Sequence, residues 1–219
     1  LQGNINSIYY NNGLFIGKKN EVYRYNEETG NFDLYYQLSA GNLEIFCMHI
    51  DKGYLWMGTT TNGVYRLNID KKELTHPIRK GNITSFYRDS EGELWIGSWE
   101  EGLFHVKADG KIENFKYDAK NPHSLSSNFV RACCEDNLGN IWIGTFNGLN
   151  RYNKSTGLFQ NHTANDIQAD GLTHSSIWCI VKDNQGTLWL GTYFGGVNYF
   201  NPEYESTPVT PTLPMKRKA

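Results

Sequence analysis

A few short polar loops of this sequence carry side chains suited to recognition, and each follows an apolar run that ends in glycine. They read "TTTN" with Asn62, "SWEE" with Trp99, Glu100 and Glu101, "TFN" with Phe146 and Asn147, and "TYF" with Tyr193 and Phe194. An indole, phenyl or phenol ring offers a flat apolar platform to the C–H face of a sugar ring. Carboxylates and amides beside it bond hydroxyls, which is the usual design of a small-ligand site. Two longer loops, 118–128 and 163–176, add Asn121, His123 and His174. Hydrolysis of a glycosidic bond would need two carboxylates about 5 to 10 Å apart across the bond. Glu100 and Glu101 are neighbours on one loop and do not face each other across a substrate. No nucleophile elbow, HExxH motif or phosphate-binding glycine loop occurs. These residue types point to binding, and no catalytic residue is assigned.

The elements that must hold these loops are repeated. "LFIG", "LWMG", "LWIG", "IWIG" and "LWLG" end in glycines at 17, 58, 97, 144 and 191, spaced 41, 39, 47 and 47 residues apart. Upstream of the last four stand Asp51, Asp89, Asp136 and Asp183, each followed by a glycine, and Asn11 with Gly13 takes their place in the first. An Asp-to-Gly step between apolar runs predicts a tight turn between strands. Six residues before that Asp (or Asn11) come Ile5, Ile45, Ile83, Val130 and Ile177, and four before it Ser7, Cys47, Ser85, Ala132 and Cys179. A β-branched residue followed two places later by a small one is strand patterning. The upper halves of these strands, "IN", "IF", "IT", "VR" and "IW", hold no Asp or Glu, and Glu135 sits at the turn end. After the W-x-G run another glycine opens a third strand: Gly63, Gly102, Gly148, and Gly195 or Gly196. A variable fourth segment closes the unit. Four strands in roughly 40 to 47 residues is one propeller blade. The expected fold is all-β, a β-propeller of about five four-stranded blades, either a closed five-blade ring or an arc of a larger one.

The recurring residues read as scaffold. Trp56, Trp95, Trp142 and Trp189, with Gly58, Gly97, Gly144 and Gly191, occupy equivalent places, and burying each indole is worth several kcal/mol (~3). The Asp side chains suit Asx bonds within their own turns. One carboxylate per turn is sparse for calcium, and Cys47, Cys133, Cys134 and Cys179 match no zinc spacing. No metal or cofactor is expected. Cys47 and Cys179 read as small packing residues, and Cys133 and Cys134 as thiols on opposite faces of one strand.

In "DSEGELWIGSWEEGL" (89–103), "DNLGNIWIGTFNGL" (136–149) and "DNQGTLWLGTYFGGV" (183–197) the units resemble the two-component regulator propeller repeat. The Ser124-Leu125-Ser126 step before one inner strand is similar to that family as well, and the resemblance covers residues 1–201. It implies the extracytoplasmic sensor part of a bacterial hybrid two-component histidine kinase, periplasmic and non-catalytic, binding a glycan-derived oligosaccharide at the channel-mouth rim. It further implies the rest of the sensor chain as a partner, and a homodimer. The chain shows no pattern of a phosphoacceptor His or a nucleotide pocket. A protein-docking propeller and a propeller hydrolase or lyase are the alternative readings.

With a formal charge of −2 the chain shows no electrostatic footprint for nucleic acid, and no apolar run is long enough for a membrane helix. The opening "LQGNIN" has neither the basic nor the apolar region of a signal peptide. The expected organisation is a propeller over 1–203, with blades near 1–40, 41–80, 81–120, 121–168 and 169–203. A Pro-rich tail with Lys216-Arg217-Lys218, residues 204–219, reads as a linker or a disordered end.

Overall fold

A computed structural model describes residues 4–11, 13–39, 43–164, 171–204 and 216–218. The chain folds as antiparallel strands in five sheets, each running in sequence order. The first holds β1 (Ser7–Tyr10), β2 (Leu14–Lys18), β3 (Glu21–Asn26) and β4 (Asn31–Gln37). The second holds β5 (Ile45–Asp51), β6 (Tyr54–Thr59), β7 (Val64–Asn68) and β8 (Leu74–Ile78). The third holds β9 (Asn82–Arg88), β10 (Leu94–Trp99), β11 (Leu103–Val106) and β12 (Ile112–Phe115). The fourth comprises β13 (Val130–Glu135), β14 (Ile141–Thr145), β15 (Gly148–Asn153) and β16 (Leu158–His162). The fifth comprises β17 (Ile177–Lys182), β18 (Leu188–Thr192), β19 (Val197–Phe200) and β20 (Lys216–Lys218). These sheets are propeller blades. Among the described residues the one helical turn is 3₁₀, at Pro202–Tyr204.

Two compact units divide the chain, Leu1–Phe86 and Tyr87–Ala219. In the first, Phe15, Val22, Leu38, Ile45, Met48, Leu55, Met57 and Leu67 form the buried core. In the second, two apolar clusters lie on either side of the fourth blade. One gathers Trp95, Leu103, Val130, Cys133 and Ile143, and the other Cys134, Trp142, Ile177, Leu188 and Leu190. Cys133 and Cys134 therefore point to opposite faces of β13, as the period of a strand requires, and all four cysteines are free thiols.

The glycines at 58 and 144 let the next blade close in. A Cβ on Gly58 would stand 2.6 Å from Cγ2 of Ile83, and one on Gly144 would stand 2.7 Å from Cγ2 of Ile177. Ile83 and Ile177, the β-branched residues heading the third and fifth inner strands, are thus wedges packed on the preceding glycine. Cys47 fills the small slot beside it, its sulfur 3.7 Å from the Ile83 carbonyl, and burial pushes its thiol pKa up. Cys179, expected in the same slot, is instead exposed. Gly191 explains this: among the described residues a Cβ there would meet the Cys179 sulfur and no wedge residue.

The tail also departs from expectation. Lys216–Lys218 pairs with β19 in register, Val197 opposite Lys218, and supplies the fourth strand of the last blade. Without it β19 would be an edge with unpaired N–H and C=O groups. Residues 205–215, where a linker was read, and 165–170 of the long loop 163–176 lie outside the described residues.

Candidate functional site

Each polar loop is closed by the residue after W-x-G. The hydroxyls of Thr59, Ser98, Thr145 and Thr192 donate to the carbonyls of Gly63, Gly102, Gly148 and Gly196, at 2.7 to 2.9 Å. This identifies Gly196, at φ +72°, as the residue that opens the last third strand, rather than Gly195. A backbone bond then ties the loop to the segment leading into the inner strand: Phe146 N–H to the Phe129 carbonyl, and Tyr193 N–H to the Ser176 carbonyl, both at 3.0 Å. Loop side chains and inner-strand side chains are thereby set next to one another.

The inner strands contribute through a bulge. Between Val130 and Ala132 the register of β13 on β14 shifts, and it shifts between Ile177 and Cys179 of β17 on β18. One extra residue on the inner strand is left out of each ladder, Arg131 in the fourth blade and Trp178 in the fifth. Bulges redirect a side chain in this way and are common beside functional sites.

These two features produce a continuous row of rings in the second unit. Phe146 approaches Phe129 at 6.2 Å between centroids, and Phe129 meets Trp99 edge-on at 5.0 Å. The Arg131 guanidinium carbon lies 4.1 Å from the centroid of Trp99 and 3.7 Å from that of Trp178. Trp178 stacks on Tyr193 at 5.5 Å with the planes 17° apart. Tyr193 meets Phe194 edge-on at 4.2 Å, and Phe194 meets His174 at 5.9 Å. The row is open to solvent, with Phe146 56%, Trp178 42%, Tyr193 53% and Phe194 80% exposed. Exposed apolar groups scattered singly carry no message, whereas a contiguous set marks an interaction surface.

Of the sequence candidates, Trp99, Phe146, Tyr193, Phe194 and His174 are brought together here. Glu100, exposed beside Trp99, holds a φ of +89°, rare for a residue with a side chain and typical of constrained functional loops. Asn147 is exposed, and its N–H is taken by Thr145 Oγ1. Glu101 is engaged elsewhere, in an ion pair with Lys116 at 2.8 Å. His123 is anchored through its ring Nδ1 and its backbone carbonyl to the Phe159 backbone, away from the rings, and Asn121 caps its own turn at the His123 N–H. Asn62 belongs to the first unit, where its amide donates to the Tyr65 hydroxyl at 2.6 Å and its carbonyl bonds His76. Arg131, Trp178 and Phe129 were not singled out from the sequence. The signal for Arg131 and Trp178 is the variable residue after each β-branched strand head, Phe46, Thr84, Arg131 and Trp178 in turn, which from the sequence alone shows only a lack of carboxylates. Phe129 precedes its strand head and has no such signal.

At the opposite end of the inner strands the acidic groups serve the scaffold. Asp89, Glu91 and Glu93 lie close enough together to suggest a cation site. Lys154 already sits among them, its ammonium 2.9 Å from Asp89, 3.6 Å from Glu91 and 3.0 Å from Glu135. Glu135, the residue nearest to a catalytic acid in the sequence, is buried and also accepts from the Ser90 N–H and hydroxyl. The first unit has a groove of about 880 Å³ bordered by Tyr10, Arg24, Glu28 and Tyr35, which includes none of the loop candidates.

Comparison with known proteins agrees with the blade reading. Residues 77–100, 124–147 and 171–194 match the two component regulator propeller family. The extracellular domain of the putative hybrid two component system BT3049 from B. thetaiotaomicron is similar in structure, with a TM-score of 0.71 and 25% identity. The match covers 93% of this chain and 27% of that one, so the chain spans about a quarter of that relative's length. The WD40 propeller domain of Doa1 (TM-score 0.65, 17% identity, 93% of this chain and 65% of that one) shares the fold. So does PorZ, a surface component of the type-IX secretion system of Porphyromonas gingivalis (TM-score 0.65, 12% identity, 86% and 31%). No curated protein matches the sequence.

Proposed function

We propose, from the three segments that match the two component regulator propeller family, that the chain forms the extracytoplasmic ligand-sensing propeller, or part of one, of a hybrid two-component sensor histidine kinase. Its ligand is an oligosaccharide released from a complex glycan, and the chain binds it without reacting on it. The periplasm is its compartment, and the remainder of the sensor chain receives the signal. The proposed propeller runs over 1–203 and takes the fourth strand of its last blade from Lys216–Lys218.

The observation that carries the ligand reading is the solvent-open row from Phe146 through Trp99 and Trp178 to Phe194. Flat rings with a few polar groups beside them suit sugar rings, which present apolar C–H faces and a rim of hydroxyls. A non-catalytic role is supported by the commitment of Glu101, Glu135 and Asp89 to lysines. Thermal-shift and calorimetric titration with a panel of defined glycan fragments tests the proposal. Saccharide binding without product formation is expected, and release of product from any fragment overturns the non-catalytic part.

A further inference from the structure

Arg131 is placed unusually for an arginine beside an open surface. Its guanidinium lies between the faces of Trp99 and Trp178, at 4.1 and 3.7 Å, and it is only partly exposed. Cation–π contact satisfies the two faces of the guanidinium plane. It does nothing for the edge, which carries five N–H donors in a rigid fork. Among the described residues no carboxylate or other acceptor engages that edge. No Asp or Glu among the described residues balances its charge, and the Tyr193 phenol beside it is uncharged near neutral pH. Burial pushes its pKa down, yet a guanidinium stays charged in proteins. A partly desolvated cation is ordinarily paired. Here the pairing is left open, in the middle of a row of exposed rings.

We propose, resting on the saccharide reading of this site, that its ligand is an acidic sugar whose oxyanion docks on the free edge of Arg131 while the sugar ring lies against Trp178 and Tyr193. Carboxylates and sulfate esters both match the guanidinium fork, through two parallel charge-assisted hydrogen bonds. The bulge and the two indoles fix the fork in advance, so little side-chain freedom is lost on binding. A neutral sugar would cover the fork without replacing the water on its N–H groups, and leaving such groups unpaired opposes binding.

Calorimetry with the whole chain at low salt tests this with four probes: an oligogalacturonide, its fully methyl-esterified form, a sulfated neutral galactan oligosaccharide and its desulfated form. The expected result is an anionic probe binding about 10- to 100-fold more tightly than its neutral counterpart. Preference in the first pair identifies carboxylate and in the second pair sulfate. Arg131→Gln should erase that preference and Arg131→Lys should keep part of it, with melting temperature confirming both folds. Equal affinity for acid and neutral forms overturns the anion assignment and leaves the saccharide reading standing. A preference for the acid that survives Arg131→Gln overturns it as well, because the anion then binds elsewhere. Binding of none of the four probes overturns both.

Discussion

Asp136 and Trp142 are joined across the turn they flank. Oδ2 of Asp136 accepts the indole N–H at 2.7 Å, while Oδ1 accepts the backbone N–H groups of Leu138 and Asn140. Asp89 with Trp95 and Asp183 with Trp189 repeat the bond at 2.9 Å. All three pairs are six residues apart. Asp51 and Trp56 are five apart, and there the buried Trp56 Nε1 has no acceptor among the described residues. One residue in the turn decides whether the indole is satisfied.

Removing the acceptor should therefore cost more than removing the donor that lacks one. Asp136→Ala leaves a buried indole N–H unpaired and opens the turn, for an expected loss of about 2 to 4 kcal/mol. Trp142→Phe should cost more than Trp56→Phe, because the latter discards a polar atom that was already unpaired. Urea unfolding of the three variants checks the order, and equal losses for the two Trp→Phe changes would refute the account.

The same logic sets a pH dependence. Burial pushes the Asp89 carboxyl up, but the Trp95 indole, the Lys154 ammonium and the Glu93 N–H outweigh it and hold the pKa below the ordinary 3.8. For Asp183 the Trp189 bond acts first, against a smaller burial effect, in the same direction. A carboxyl depressed in the folded state binds its proton more readily when unfolded. Its stabilisation is complete above about pH 4 and is lost as pH falls through the lower folded values. Lys154→Met leaves Asp89 and Glu135 buried without their shared cation, a loss of about 3 to 5 kcal/mol. It should also move the onset of acid unfolding to higher pH. An unchanged acid midpoint in that variant would contradict the assignment.

How much of this was legible in the sequence depends on how local each cause is. The turn Asp and the W-x-G strand answer demands made within a dozen residues, and Gly58 and Gly144 answer a wedge at a repeated place in the next blade, so they recur and can be counted. Cys133 and Cys134 were placed on opposite faces by strand period alone, as their separate clusters show. Arg131 and Trp178 escaped notice because alternation assigns every residue to one face or the other. A bulge breaks that rule, and nothing in "VR" or "IW" announces one. Cys179 is exposed because its burial depends on the next wedge. The hydrogen bonds of Asn62 to Tyr65 and His76 and of His123 to Phe159 were not legible, because a side chain's partner is not visible from loop position.

The wedge packing yields a sharp test. Gly144→Ala puts a methyl 2.7 Å from Cγ2 of Ile177, and overpacking of this kind should cost about 1 to 3 kcal/mol. Ile177→Ala alone opens a cavity. In the double variant the new methyl occupies part of that space, so the combined loss should fall short of the sum, a coupling of about 1 kcal/mol. Strict additivity in denaturant melts would show that the two residues do not press on each other.

If the row of rings is the ligand surface, its members should differ by what they offer. Trp178 and Tyr193 stack at 5.5 Å and both remain open to solvent, so Tyr193→Ala should reduce saccharide affinity by about 30-fold or more, the scale of an aromatic anchor. Tyr193→Phe keeps the ring and removes only the hydroxyl, and should stay within a few fold of the parent if stacking dominates (about threefold). Trp99→Ala removes one face of the Arg131 sandwich, 4.1 Å from the guanidinium. It should weaken binding by freeing the arginine, and weaken an anionic probe more than a neutral one. Thermal shift and calorimetry on all three variants, with circular dichroism to confirm folding, decide the matter. Binding that survives both alanine substitutions undiminished would place the ligand elsewhere on the blades.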